Sequence, residues 1–296
     1  MQGLVTVFGG SGFVGGQVVR ALAKAGYRVR VAVRNPNLAY KLRMLGDVGQ
    51  IEVVQANLRN APSVARALTG AEAAINLVGV LWETGRQKFQ ALHVMGAKTV
   101  AEQAKAAGVK RLVHISSIGA DANSASKYQR TKAEGEAAVR AAFPGAVVIR
   151  PSVMFGPEDK FFNKFGQMAA LFPALPLIGG GETKFQPAFV GDVAAVIAKA
   201  VASPAAEGLT YELGGPTVYS FKDLLEMILR ETGRHRVLVP LPWFAAAWIG
   251  KLGDLVAGLL PLAPPLTSDP VESVVPSYLY RYRKGGQYAE VPAGAF

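Results

Sequence analysis

Three residues of this chain could handle a proton together: Ser117, Tyr128 and Lys132. Tyr128 and Lys132, in SKYQRTKAEGE, lie four positions apart, so on a helix they present both side chains on one face. A phenol with an ordinary pKa near ~10 exchanges its proton near neutrality only if a cation stabilises the phenolate, and Lys132 can do that. Ser117, at the end of an apolar run, could orient a carbonyl beside the tyrosine. Such a set serves hydride transfer coupled to protonation, the chemistry of a site that holds a hydride-carrying cofactor.

A place for that cofactor is written at the start of the chain, in VTVFGGSGFVGG. Gly9 permits a tight turn after a strand, Gly12 lets the backbone approach a pyrophosphate, and Gly15 lets the following helix pack closely on the sheet. Ser11, Phe13 and Val14 complete the turn, and the helix opening near Phe13 directs its amino-terminal dipole at the phosphates. No Gly-Lys-Ser/Thr follows, which excludes a P-loop. The second strand ends AVRNP, so Arg34 stands where a carboxylate would read the adenosine ribose hydroxyls. A guanidinium pairs with a 2′-phosphate instead, and this favours NADPH (NADP+) over NADH. Asn57 and Leu58 follow the third strand, where an adenine would pass, and Gly79 ends the fourth near the adenine ribose. Ser116, at the end of the fifth strand, is a further candidate for the cofactor set.

The elements that must hold these residues alternate regularly. Segments 4–8, 28–33, 51–56, 73–79, 111–117 and 146–152 are continuous apolar runs rich in β-branched residues, read as strands buried on both faces. Segments 13–25, 61–68, 89–107 and 124–142 carry helical spacing. The fold class expected is α/β, a Rossmann-type doubly wound parallel sheet, with residues 1–150 as the dinucleotide-binding domain. Residues 151–240 break into Pro- and Gly-rich loops with helices near 191–203 and 220–232, read as a continuation of the fold and a smaller lid. Residues 241–296 form an apolar segment and tail.

Composition narrows the chemistry. Among 296 residues there is no cysteine, and His93, His114 and His235 are too scattered for a ligand cluster, so no metal site is expected. The first strand begins within three residues of Met1, so no signal or transit peptide is expected in this chain, as in a bacterial cytoplasmic protein or a mature chain. The 32 basic against 21 acidic residues give +11, which implies an anionic partner: a phosphorylated cofactor, a lipid surface, nucleic acid or an acidic protein. Segment 242–266 is the most apolar. It offers eighteen residues between Pro242 and Pro261, with Lys251 and Asp254 near its middle, each costing about 3 kcal/mol in a bilayer. No transmembrane span is expected there; the pattern suits a helix in the membrane interface, a partner's groove or ordinary packing.

Taken together, GGSGFVG, the YQRTK pair, the IRPSVMFGP turn and FQPAFVGDVA resemble the extended and atypical short-chain dehydrogenase/reductase superfamily over about residues 3–235. Within it, INLVGVLWET, FGPEDKFFNKF, KFQPAFVGDVA and PLTSDPVE are most similar to the nucleotide-binding accessory subunits of respiratory complex I. The resemblance implies that Ser117, Tyr128 and Lys132 do any proton chemistry and hold the nicotinamide ribose, and that Arg150 and Pro151 lie by the nicotinamide. It implies a resident NADPH that supports structure, other complex I subunits as partners, and no nucleic acid. An anionic lipid surface would be met through residues 242–266. The location implied is peripheral, on the cytoplasmic face of a bacterial inner membrane or the matrix side of a mitochondrial one. Complex I relatives often lose the serine that this chain keeps, and a free-standing NADPH-dependent reductase, epimerase or dehydratase is the alternative. The tail after about residue 272 departs from the family's usual ending.

Overall fold

A computed structural model describes residues 2–242 and 268–283. Segment 242–266, apart from Pro242, lies outside the described residues. In chain order the elements are β1 (Gln2–Phe8), α1 (Phe13–Lys24), β2 (Tyr27–Val33), β3 (Ile51–Gln55), α2 (Ala61–Leu68), β4 (Ala73–Asn76), α3 (Ala97–Ala106), β5 (Arg111–Ile115), α4 (Lys127–Ala142), β6 (Val147–Pro151) and β7 (Met154–Phe155). They continue with α5 (Phe162–Leu171), β8 (Ala174–Ile178), β9 (Lys184–Phe185), β10 (Ala188–Phe189), α6 (Val190–Ala202), β11 (Thr210–Leu213), β12 (Tyr219–Ser220), α7 (Phe221–Thr232) and β13 (Val237–Leu241).

The chain divides into two compact units. The first is Met1–Pro151 with Val190–Leu213, and the second is Ser152–Phe189 with Gly214–Phe296. In the first unit seven parallel strands run in the order β11-β6-β5-β4-β1-β2-β3. Their apolar runs suit this position, since Val5, Val7, Phe8, Val29, Val31, Ile75 and Val113 are fully or almost fully buried. Strand order reverses between β1 and β4, which pair from Val5↔Ala73 to Phe8↔Asn76. The loops leaving Phe8 and Asn76 therefore start side by side at the switch point where such sheets take their ligands. The strand expected over 73–79 ends at Asn76, because its Oδ1 accepts the Val78 N–H at 3.2 Å and turns the chain. The helix expected over 89–107 is in two parts, a π-helical turn Gln90–Gly96 and then α3.

The second unit has an aromatic core in which Phe155, Phe161, Phe162, Phe165, Phe185 and Phe221 meet mostly edge to face or tilted. Asp159 accepts the Phe162 N–H at 2.6 Å at the start of α5, and the Tyr278 hydroxyl donates to its other oxygen at 2.6 Å. The late residues Val271, Val275, Tyr278 and Leu279 are buried in that core, and Tyr219 donates to Glu272 at 2.7 Å. The chain after residue 272, which the sequence left unassigned, is part of this unit as far as Arg283. Among the described residues no helix is long and apolar enough to cross a membrane.

Candidate cofactor and active site

The glycine-rich turn between β1 and α1 has the backbone its spacing demands. Gly9 has φ +80°, in the left-handed region that glycine tolerates. A Cβ at Gly15 would lie 2.3 Å from the Gly9 carbonyl oxygen, so α1 can begin against the turn only without a side chain there. Gly12 donates to that same carbonyl at 3.0 Å and otherwise faces open space. The start of α1 has neither a side-chain cap nor an acidic residue, which leaves its first amides for an anion.

A groove beside the turn is lined by Gly9, Ser11, Gly12, Arg34, Asn57, Leu58 and Gly79, and also by Arg59 and Gln87, with no carboxylate among the described lining residues. Asn57 accepts the Arg59 N–H at 3.1 Å, a local turn that presents Arg59. Phe13, Val14 and Gly15 open α1 behind this wall rather than lining it. Ser116, Ser117, Tyr128, Lys132 and Pro151 do not line the groove either. Gly79 joins the two sets: a Cβ there would stand 3.5 Å from Lys132 Nζ and 3.7 Å from His93 Nε2.

On that second side Lys132 is buried and donates to the Ile115 carbonyl at 3.2 Å. Burial lowers its ammonium to about 8, with Glu136 opposing. Burial also pushes the Tyr128 phenol up, against a smaller downward effect of Ser117. Lys132 is expected from its spacing to stabilise the phenolate; in the structure its Nζ donates to a β5 carbonyl, and burial favours the protonated phenol. Ser117 lies near the phenol but outside hydrogen-bond geometry, and its buried Oγ, like that of Ser116, has no partner among the described residues. Each such orphan costs about 1–3 kcal/mol. A carboxamide, a ribose hydroxyl or a substrate carbonyl would relieve that cost, so these residues fit a nicotinamide dinucleotide.

Supporting groups surround the set. Pro151 ends β6 and its carbonyl accepts from Ile118 at 3.1 Å, next to Ser117. Arg150 forks onto Glu136 at 2.8 and 2.9 Å and reaches Glu212 at 3.1 Å; those carboxylates raise its pKa, Glu136 most. It joins α4, β6 and β11. Asn76 donates through Nδ2 to His114 Nδ1 at 3.2 Å, given that its Oδ1 serves Val78. Both buried histidines are lowered to about 3, by burial first and the charge of Lys132 second. Sequence reasoning missed His93, Arg59 and Glu136. A lone histidine within a helix or an arginine after a turn carries no spacing signal, whereas Glu136, four residues beyond Lys132, could have been found as its one-turn neighbour.

The matches to known proteins agree with this geometry. A model described as the NAD dependent epimerase/dehydratase family matches residues 5–214. The chain belongs to that family. As a family member it takes a nicotinamide dinucleotide, for which the groove and the two orphaned hydroxyls are suited. The chain is 38% identical over 273 residues to the mitochondrial NADH dehydrogenase (ubiquinone) 1 alpha subcomplex subunit 9 of Mus musculus, covering 92% of this chain and 71% of that protein. It is 37% identical over 177 residues to a ceramide reductase of Caulobacter vibrioides, covering 60% of this chain and 54% of that one. Among solved structures, epimerase Mth375 of Methanothermobacter thermautotrophicus matches with TM-score 0.73 at 21% identity, over 95% of this chain and 91% of that one. That likeness is one of fold.

Proposed function

We propose that this epimerase/dehydratase family member is a nucleotide-binding accessory subunit of respiratory complex I, peripheral to the membrane, whose resident nucleotide is NADPH and which has no turnover of its own. The observation that carries the reading is the 38% identity to the mouse complex I subunit over 92% of the chain. The NADPH assignment is supported by Arg34 and Arg59 in a groove whose described lining residues include no carboxylate, since cations there favour a 2′-phosphate over a bare ribose. A holding role is supported by Lys132 engaged with the Ile115 carbonyl. By linkage, a tightly held nucleotide present at 1,000 times its Kd would add about 4 kcal/mol to folded stability. Residues 242–266 would supply the contact with anionic lipid.

A second reading, a free-standing NADPH-dependent reductase, is favoured by the ceramide reductase relative and by Ser117, Tyr128 and Lys132 being present together. Gentle detergent solubilisation of native membranes, followed by size separation, separates the two. Comigration with NADH:ubiquinone oxidoreductase activity, NADPH retained, is the expected outcome. A small species that exchanges NADPH freely would overturn the subunit reading and favour the reductase.

A further inference from the structure

His93 belongs neither to the glycine turn nor to the Ser117, Tyr128 and Lys132 set, yet it touches both sides of the site. It lies in the π-helical turn Gln90–Gly96 and is 2% exposed. Turns of this kind are frequent at functional sites. Its Nε2 accepts the Val80 N–H at 3.1 Å. An accepting Nε2 carries no proton, so the neutral ring bears its proton on Nδ1. That Nδ1 is 3.1 Å from Thr131 Oγ1 and donates to it, and the threonine hydroxyl donates in turn to the Tyr128 carbonyl at 3.0 Å. The ring stacks on Phe89 with centroids 5.1 Å apart and meets the Tyr128 ring edge to face at 5.4 Å. Behind it α4 approaches so closely that a Cβ on Gly135 would stand 2.1 Å from the His93 carbonyl oxygen. Both ring nitrogens are therefore committed, the ring is clamped from three sides, and it stays neutral at physiological pH.

We propose that His93 is a positioning residue that ties the cofactor-facing backbone at Gly79 and Val80 to the helix carrying Tyr128 and Lys132, so that the groove and the phenol keep one fixed relation. The proposal rests on the dinucleotide reading of the groove and adds to it the part that holds the groove's inner wall. Its two halves separate chemically. In His93→Gln the amide oxygen can stand in for Nε2 and still accept from Val80, whereas in His93→Asn the amide reaches only the Thr131 side.

The experiment measures NADPH affinity of the full chain and, in the unliganded protein, hydrogen exchange at the Val80 amide. Expected for His93→Asn are about tenfold weaker NADPH binding and at least tenfold faster Val80 exchange, with both within threefold of the parent in His93→Gln. Equal effects of the two substitutions, or unchanged affinity in His93→Asn, would overturn the proposal. So would an affinity loss that merely follows a lowered melting temperature in both variants. If the parent chain binds neither NADPH nor NADH, the cofactor reading fails by itself, and Val80 exchange still decides whether the bridge exists.

Discussion

The glycine-rich turn offers a ligand backbone amides, and the charged side chains beside it, Arg34 and Arg59, are exposed. The Tyr128 end offers side chains withdrawn from water: Lys132, His93, His114 and Ser116 are all buried, and two hydroxyls have no partner among the described residues. The first region works by backbone shape, uncapped helix amides and exposed charge. The second is held at a standing energetic cost by the packing around it, and a bound group is what offsets that cost. The contrast separates what the fold must do to exist from what it must do to hold a nicotinamide.

The largest test concerns acid. His93 and His114, lowered from 6.5 to about 3, refuse protons that the unfolded chain accepts. Their contribution is fully present above 6.5 and is lost as pH falls towards 3, at about 1.4 kcal/mol per pH unit for each group. Between pH 6 and pH 4 the pair should remove about 5 kcal/mol, read from urea midpoints, and His114→Gln should halve that slope. An unchanged slope would mean that the Tyr128 end is wetter than the structure indicates. Next, Gly15→Ala places a methyl 2.3 Å from the Gly9 carbonyl oxygen and should cost about 3 kcal/mol in thermal unfolding. A neutral result would show that the turn can relax and does not work by shape.

Arg34→Ala tests the exposed side of the comparison. It should weaken NADPH by about 1.5–3 kcal/mol, the scale of a charge-assisted hydrogen bond, and leave NADH nearly untouched, as titration calorimetry would report. Equal losses for both nucleotides would remove the 2′-phosphate role. The smallest effect has the opposite sign. Ser116→Ala deletes an unpartnered buried oxygen and should stabilise the apo protein by about 1 kcal/mol while weakening cofactor retention, which parallel melts with and without NADPH would show.

The two ends also differed in how far they could be read from sequence. The turn was legible because Gly9 and Gly15 answer to backbone geometry at fixed spacing, and the strands because double-sided burial demands unbroken apolar runs. Tyr128 and Lys132 were placed on one helix by their spacing, but the direction of the lysine was not. That direction depends on where β5 puts the Ile115 carbonyl, a contact seventeen residues away in the chain. His93 was invisible for the same reason, since its partners Val80 and Thr131 come from a loop and a helix on either side of it in sequence. Long-range polar contacts leave no period behind.

The interleaving of the two units has a consequence for synthesis. The first unit is interrupted at Pro151 and resumes only at Val190, so a ribosome makes Ser152–Phe189 before it can supply α6 and β11. Until Leu213 has emerged, β6 presents an unpaired edge, the edge on which β11 later pairs from Val148 to Pro151, and such an edge invites intermolecular pairing. Every residue of the glycine turn and of the Ser117, Tyr128 and Lys132 set has by then been translated. A nucleotide able to bind that early would act on the nascent chain as a folding ligand, and a fragment cut at residue 151 would keep the site while losing the strand that protects it from its neighbours.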